Sequence, residues 1–186
     1  RSVEEAVTDA DFVITTIRSG GDHSRVRDEE IVSRYGLLAQ ETTGACGFAM
    51  AMRSIPVLLD YCEKIKRLAH PNCLIFNFTN PSGIVTQALN SCGYPVYGIC
   101  DAPSEFIKQL AAMLNVAEDR FACECFGLNH LSWFTHFQVD GQDVTERIFN
   151  DPQLFSKTEM RLFEPQVLKM TDGCLPNEYL YFYYYT

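Results

Sequence analysis

The sequence lacks several features that mark particular classes of protein. No uninterrupted apolar run approaches the roughly 18 residues of a membrane-spanning helix, and no internal repeat or low-complexity linker is present. Basic residues are scarce: 15 Lys and Arg stand against 24 Asp and Glu, a net charge of −9, so a broad basic surface for nucleic acid or anionic membrane is excluded. We therefore expect neither partner, and any anionic ligand must be held by a few local arginines.

The eight cysteines do not have the spacing of a disulfide scaffold, and no two form a Cys-x-x-Cys pair. They lie mostly within apolar stretches, at positions 46, 62, 73, 92, 100, 123, 125 and 174. We expect reduced thiols and a cytoplasmic location. The chain begins at Arg1 and stops in the aromatic run YLYFYYYT, so we also expect a fragment of a larger protein.

The amino-acid composition is that of a globular protein, with 47% hydrophobic and 21% charged residues. Three short apolar runs have the composition of buried parallel strands: DFVITTI (11–17), CLIFNF (73–78) and PVYGIC (95–100). Helical periodicity lies between them, most clearly from Ile55 to Leu68. Strands that alternate with helices predict an α/β domain with a parallel sheet.

Two further helices are predicted from their start signals. One follows Asn80-Pro81, with Asn80 as the N-cap and Pro81 at the first helical position. The other follows Asp101, with Pro103 near its start. Its inward face is predicted to carry Phe106, Leu110, Met113 and Leu114.

The pattern changes after about residue 118. FACECFGL (121–128) and WFTHFQV (133–139) partly alternate between apolar and polar residues, and Asp140-Gly141 is a turn signal. Residues 143–186 read as helical with polar interruptions. This part is predicted to begin a second, substrate-covering region.

Polar residues follow all three predicted strands of the first part, where ligands bind in open α/β sheets. The strand exits are RSGG (18–21), TNPSG (79–83) and Cys100-Asp101. They favour a cleft for a phosphorylated or nucleotide ligand, because helix N-termini attract anions. The alternative is that they serve only as turn and cap residues.

Two clusters of polar residues have more than one interpretation. Cys100 and His130 have three interpretations: metal ligands, a nucleophilic pair, or residues without a shared role. If they bind a metal, the softness of a thiolate and an imidazole as ligands favours zinc. Arg25 and Arg27 in SRVRDEE belong either to a solvated, charge-laced helix or to a phosphate clamp.

Eight stretches, taken in order, resemble a single family. They are DFVITTIRSGG (11–21), RVRDEEI (25–31), YGLLAQETTG (35–44), GFAMAMRSIPVLLDY (47–61), NFTNPSGIVTQAL (77–89), GICDAP (98–103), GLNHLSWF (127–134) and LPNEYLYFYYY (175–185). The family is the NAD- and metal-dependent family 4 glycoside hydrolases, especially the 6-phospho-glucosidases. The resemblance spans nearly the whole chain, and the set of motifs is specific although no single one is.

The resemblance implies a redox-assisted elimination instead of two-carboxylate chemistry. NAD⁺ takes hydride from the sugar C3, and the ketone acidifies the C2 proton. A base removes that proton, the aglycone leaves from C1, water adds, and the reduced cofactor restores C3. The implied substrate is a phosphorylated disaccharide or glucoside.

Site residues follow from the resemblance by position. Cys100 and His130 would bind a divalent metal. In this family the metal is typically Mn²⁺, which replaces the zinc predicted from ligand softness. The metal would polarise the C3 carbonyl. Tyr179 corresponds to the base at C2, for which a phenol of ordinary pKa near 10 needs a nearby cation. Asp101 corresponds to the acid that protonates the leaving oxygen.

The remaining implied roles concern the substrate and the cofactor. Arg25 corresponds to the residue that binds the 6-phosphate. Asn80 corresponds to a substrate-contacting asparagine, and Asn129 neighbours the site. Arg18 and Glu41 are expected to line the cofactor side.

The resemblance also implies a domain organisation. Residues 1–118 would form the C-terminal portion of a Rossmann-like NAD-binding domain, with a partial parallel sheet and helices. Residues 119–186 would begin an α+β domain for substrate and metal. The family's Gly-rich nucleotide loop and its C-terminal portion are absent from this sequence, so we expect this piece alone to bind NAD poorly. GACG (44–47) replaces the family's Pro-Gly-Gly run.

Within the family the β-glucoside specificity is favoured. Cys100-Asp101 also occurs in phospho-α-glucosidases, but Ala102 and the run from 47 to 61 are closer to a phospho-β-glucosidase branch. The alternatives are a 6-phospho-α-glucosidase, a metal-free 2-hydroxy acid dehydrogenase, and an inactive remnant that only binds a sugar phosphate. A homo-oligomer is expected for the full-length protein.

Overall fold

A computed structural model describes residues 2–184, which fall into two compact units, Arg1–Ile99 and Cys100–Thr186. Tyr185, in the last matching stretch, lies outside the described residues. Among those described, no helix is both long and apolar enough to cross a membrane. The eight cysteines, all described, are free thiols.

The first unit is built on a parallel three-stranded sheet. Its strands are β1 (Phe12–Thr15), β2 (Leu74–Asn77) and β3 (Val96–Gly98), in the order β1-β2-β3. Each strand lies inside a predicted apolar run but is shorter than that run. The predicted α/β class with a parallel sheet is confirmed.

Four helices belong to this unit: α1 (Val3–Val7), α2 (Gly21–Ser33), α3 (Gly44–Leu68) and α4 (Ser82–Ser91). The predicted helical periodicity is confirmed in α3, where Leu58, Cys62 and Ile65 are buried. They join Ile75 and Val96 of the sheet and Val85 and Leu89 of α4 in one apolar core.

The predicted cap at Asn80 is wrong by one residue. Helix α4 begins at Ser82, and its N-cap is Pro81, which has extended backbone angles (φ −72°, ψ 112°). The carbonyl of Pro81 accepts the first helical bond, from the Val85 N–H at 3.1 Å. Asn80, joined to Pro81 by a cis peptide bond, therefore precedes the cap and lines a cavity instead.

A buried polar network ties the carboxyl ends of β1 and β2 together. Asn77 is fully buried, and its Oδ1 accepts from the Thr15 hydroxyl at 2.9 Å and from the Thr79 N–H at 3.1 Å. Its Nδ2 donates to Thr86 Oγ1 of α4 at 3.1 Å. The Thr79 hydroxyl accepts from the Ile17 N–H at 3.0 Å. The bonds from Thr15 to Asn77 and from Ile17 to Thr79 join the two strand exits, so the network fixes the segments that the sequence marked as polar.

The second unit contains an antiparallel sheet surrounded by short helices. The elements, in chain order, are α5 (Ala102–Met113), η1 (Glu118–Arg120), β4 (Phe121–Leu128), β5 (Leu131–Val139), β6 (Gln142–Asp143), α6 (Thr145–Asn150), α7 (Leu154–Lys157), η2 (Glu159–Leu162), α8 (Pro165–Lys169), β7 (Leu175–Pro176) and α9 (Leu180–Tyr184). β5 pairs with β4, β6 and β7. The predicted strands are confirmed, as is the turn at Asp140-Gly141, where both residues have positive φ.

Helix α5 packs within this unit. The ring centroids of Phe106 on α5 and Phe134 on β5 are 4.8 Å apart. The predicted inward residues Phe106, Leu110 and Met113 of α5 are buried, as is Leu114, the C-cap that follows the helix. The compact unit thus begins at Cys100, whereas the predicted division lay near residue 118. The functional assignment of 1–118 and 119–186 stays a prediction.

We predict that Asn77→Ala lowers the free energy of unfolding by about 2–3 kcal/mol, because it leaves several buried donors and acceptors without partners. Urea denaturation of the chain checks this. Asn72→Ala, at an exposed turn position of the same unit, is the matched control and should change stability by less than about 0.5 kcal/mol. Equal effects of the two changes would contradict the importance of the network.

Candidate functional site

The site residues predicted in the second unit gather around the β4–β5 hairpin. Leu128 pairs with Leu131, so only Asn129 and His130 remain to reverse the chain. His130 has φ 59°, a left-handed conformation that is uncommon for a residue with a side chain. Although it lies at a hairpin tip, it is only 5% exposed. A strained, buried histidine at such a position suggests a functional constraint.

Glycine is required just before this turn. Gly127 has φ 115°, and a Cβ built on it would lie 2.4 Å from the Leu131 carbonyl oxygen and 2.9 Å from Ser132 Cα. Any side chain there would push the two strands apart. Gly127 therefore allows the close approach that sets the position of His130.

The hairpin brings His130 to Cys100, as two of the three interpretations of the sequence required, a shared metal ion and a nucleophilic pair. Cys100 Sγ and His130 Nε2 are 3.6 Å apart. Bonds of about 2.1 and 2.3 Å to one metal, meeting at about 90–110°, separate nitrogen and sulfur ligands by roughly 3.1–3.6 Å. The two atoms thus fit a shared metal ion. No group of three or more His, Cys, Asp or Glu able to hold a metal occurs in residues 2–184, so this pair would leave coordination positions open.

Tyr179 lies directly against His130. The two rings are parallel, with centroids 3.7 Å apart and an interplanar angle of 1°. Strand β7 pairs with β5 through Phe134 and Leu175, which brings the following residues back to the hairpin. The structure therefore joins three of the predicted site residues, Cys100, His130 and Tyr179, in one place.

Asn177 is a site residue that the sequence analysis missed. It is 2% exposed, its N–H donates to the Ser132 carbonyl at 2.9 Å, and its Oδ1 accepts from the Tyr179 N–H at 3.0 Å. It lines a cavity of about 120 Å³ together with Cys100 and His130. Asparagine commonly forms an Asx turn with the main-chain N–H two residues on, and this tendency is the one signal that sequence reasoning could have used.

The other predicted residues of this unit lie around the same position. Asn129 lines the cavity from the hairpin tip. Asp101 is exposed and caps α5, and its carbonyl accepts from the Glu105 N–H at 2.9 Å. Glu178, not predicted, is half-buried beside Tyr179. Burial raises the pKa of Glu178, and the nearby carboxylates of Glu159 and Asp101 raise it further.

Predicted residues of the first unit form a second group. Arg18, Glu41 and Asn80 line a cavity of about 250 Å³, whose wall also includes Met50 and Phe78. Arg18 and Asn80 follow β1 and β2, so this cavity lies at the carboxyl end of the sheet, where ligands of α/β folds bind.

Glu41 lies between two arginines. Its carboxylate pairs with the Arg18 guanidinium and lies 3.3 Å from Arg25 Nε. Arg25 also pairs with Glu29 at 2.9 Å, while Arg18 pairs with Asp22 at 3.2 Å. The hydrogen bond to Glu29 is the main cause of a raised Arg25 pKa, with Glu41 adding to it. The two guanidinium groups thus lie together among three carboxylates, those of Glu41, Glu29 and Asp22.

The loop that carries Glu41 packs tightly on α3. The Thr42 N–H donates to Gln40 Oε1 at 2.7 Å. A Cβ on Gly47 would lie 2.8 Å from the Thr42 carbonyl carbon and oxygen. Cys46 is buried and lies within α3.

Comparison with known proteins gives consistent matches. The model described as Family 4 glycosyl hydrolase matches residues 1–116, and the Family 4 glycosyl hydrolase C-terminal domain matches residues 125–186. The chain is 40% identical over 153 residues to 6-phospho-beta-glucosidase BglT of Thermotoga maritima, over 81% of this chain and 36% of that protein. It is 35% identical over 204 residues to phospho-alpha-glucosidase PagL of Clostridium acetobutylicum, over 98% of this chain and 44% of that one.

A solved structure is similar over the same extent. The 6-phospho-beta-glucosidase of Thermotoga maritima, with manganese, NAD⁺ and glucose-6-phosphate, gives a TM-score of 0.88 at 35% identity. The similarity covers 100% of this chain and 44% of that one. The chain thus spans less than half the length of these relatives.

We predict that Gly127→Ala weakens Mn²⁺ binding by the intact protein at least about tenfold, because the strands beside His130 must move apart. Electron paramagnetic resonance of free Mn²⁺ measures the affinity. Gly83→Ala is the matched control, since a Cβ on Gly83 meets nothing within 4 Å. Unchanged affinity in Gly127→Ala would show that the hairpin does not set the site.

Proposed function

Because the chain belongs to glycosyl hydrolase family 4, we propose that the protein hydrolyses 6-phospho-glucosides by NAD-dependent oxidation at C3, deprotonation at C2 and elimination of the aglycone. The observation that carries the proposal is that Cys100 and Tyr179 both contact His130, which lies at the tip of the β4–β5 hairpin. A thiolate, an imidazole and a phenol are the groups that this chemistry needs for a metal and a base.

The two cofactors would supply chemistry that amino acids lack. Mn²⁺, held by Cys100 and His130, would supply a Lewis acid at the sugar C2 and C3 oxygens, and NAD⁺ would accept the C3 hydride. Support comes from the fit of the two ligand atoms, 3.6 Å apart, and from the relative with manganese and NAD⁺.

Side chains of the second unit carry the proton transfers in this proposal. Tyr179 takes the C2 proton, and its ring is held against His130 by the Asn177 turn. Asp101 donates a proton to the leaving oxygen, and its exposed carboxyl group is accessible to a substrate. Asn129, at the edge of the cavity, contacts the sugar.

Side chains of the first unit bind the anionic groups. Arg25 binds the 6-phosphate, for which a guanidinium offers two parallel donors. Asn80 contacts the substrate, and Arg18 and Glu41 line the cofactor side. Support comes from the cavity shared by Asn80, Arg18 and Glu41, and from the contact of Arg25 with Glu41.

The β-glucoside is the favoured substrate. The Thermotoga maritima relative supports it, whereas PagL, which aligns over 98% of the chain, supports the α-glucoside. A metal-free dehydrogenase is the weaker alternative because it has no use for the Cys100–His130 pair. Cytoplasmic location and homo-oligomerisation stay predictions.

The test is release of 4-nitrophenol from 4-nitrophenyl 6-phospho-α- and β-glucosides by the intact protein, with Mn²⁺ and reductant, with and without NAD⁺. The proposal expects release that requires NAD⁺ without consuming it, faster for the β anomer. Release independent of NAD⁺ would contradict the elimination, and faster release from the α anomer would reverse the assignment. No release from either would favour a binding remnant.

We predict that Cys100→Ser abolishes Mn²⁺-dependent turnover, by a factor of about 10³ or more, while circular dichroism shows an intact fold. The serine hydroxyl is a poorer metal ligand than a thiolate. Cys92→Ser, at an exposed thiol, should keep wild-type turnover and is the matched control. Wild-type activity of Cys100→Ser would remove Cys100 from the metal site.

We predict that Arg25→Ala lowers kcat/KM for the phosphorylated glucoside about 100-fold but that for the unphosphorylated glucoside less than about threefold. Steady-state kinetics on the two substrates gives the comparison. Arg27→Ala, at an exposed position two residues along the same helix, is the control and should alter neither. Equal losses for both substrates would remove Arg25 from the phosphate site.

A further inference from the structure

Helix α2, which carries Arg25, has very little apolar contact with the rest of its unit. Of its 13 residues, all of them described, Val32 alone is buried. Val26 and Ile31 are 50% and 44% exposed. A helix without an apolar stripe cannot be docked by hydrophobic burial alone. The position of α2 must therefore depend on polar contacts.

Arg53 of α3 makes the principal polar contact with α2. Its guanidinium binds both carboxylate oxygens of Asp28, with Nη1 to Oδ1 at 3.2 Å. Its Nε donates to the Ser19 carbonyl at 3.3 Å, in the loop between β1 and α2. The side chains of Arg53 and Asp28 are 30% and 15% exposed. Partial burial and the bidentate geometry make this pair stronger than a surface ion pair.

This one side chain holds both segments that carry the arginines around Glu41. Asp28 lies three residues after Arg25, on the same side of α2. Ser19 directly follows Arg18. The loop between β1 and α2 packs closely against Ser24 and Arg53 at Gly20. A Cβ on Gly20 would lie 2.4 Å from Ser24 Oγ and 3.4 Å from Arg53 Nε.

We propose that Arg53, through Asp28 and the Ser19 carbonyl, is a positioning residue that sets the selectivity of the site for phosphorylated sugars. The inference rests on the proposed function, in which Arg25 binds the 6-phosphate. Arg53 holds α2 so that the Arg25 guanidinium stays beside Arg18 and Glu41. Lysine cannot replace it, because an ammonium group cannot bind a carboxylate in a fork and a backbone carbonyl at the same time.

The test is the kinetics of Arg53→Lys and Asp28→Asn in the intact protein, with 4-nitrophenyl 6-phospho-β-glucoside and the unphosphorylated glucoside. Each variant is expected to lower kcat/KM for the phosphorylated substrate about tenfold, mostly through KM, and to change the other less than about twofold. The double variant should lose no more than either single variant, because both changes break the same contact. Arg67→Lys, at an exposed position of α3, is the matched control.

Each result has a distinct meaning. Equal losses for both substrates would mean a merely structural role for Arg53 and overturn the inference, as would wild-type selectivity in both variants. A wild-type protein without preference for the phosphorylated substrate would overturn the proposed phosphate site itself, whatever Arg53 does. Circular dichroism confirms folding, and Asp28→Asn tests the same contact if Arg53→Lys fails to fold.

Discussion

The two-residue reversal at Asn129-His130 is the constraint on which the candidate catalytic group depends. Because Leu128 pairs with Leu131, only Asn129 and His130 connect the two strands, and Gly127 permits the strands to approach each other. The imidazole is thereby presented to Cys100 on one side and to the Tyr179 ring on another. A longer or more flexible loop would leave the histidine free to turn to solvent, and the proposed metal ligands Cys100 and His130 depend on this preorganisation.

The first unit achieves the same rigidity by different means. Buried hydrogen bonds of Asn77 fix the exits of β1 and β2, and the Arg53–Asp28 pair fixes the polar helix α2. In a chain of net charge −9, the cations that bind an anion must be concentrated locally. The Glu41 carboxylate lies beside both Arg18 and Arg25 and offsets the repulsion between their guanidinium groups. The proposed phosphate site thus consists of two arginines that are held in place by acidic neighbours.

Sequence reasoning succeeded where the pattern is local. Apolar runs gave the strands, spacing gave the buried face of α3, and Asp140-Gly141 gave the turn. It failed at Asn80, because Pro81 has extended backbone angles and is itself the N-cap of α4. Arg53 and Asn177 escaped notice because their partners lie 25 to 45 residues away or depend on strand pairing, which periodicity does not report. The roles of the site residues came from the family resemblance and stay predictions.

The central claim, that Cys100 and His130 bind one metal ion, is tested most directly by a crystal structure of the intact protein with Mn²⁺, using diffraction data collected on both sides of the manganese absorption edge. The account predicts one anomalous peak within about 2.5 Å of both Cys100 Sγ and His130 Nε2. A peak elsewhere, or bound to only one of the two side chains, would contradict it.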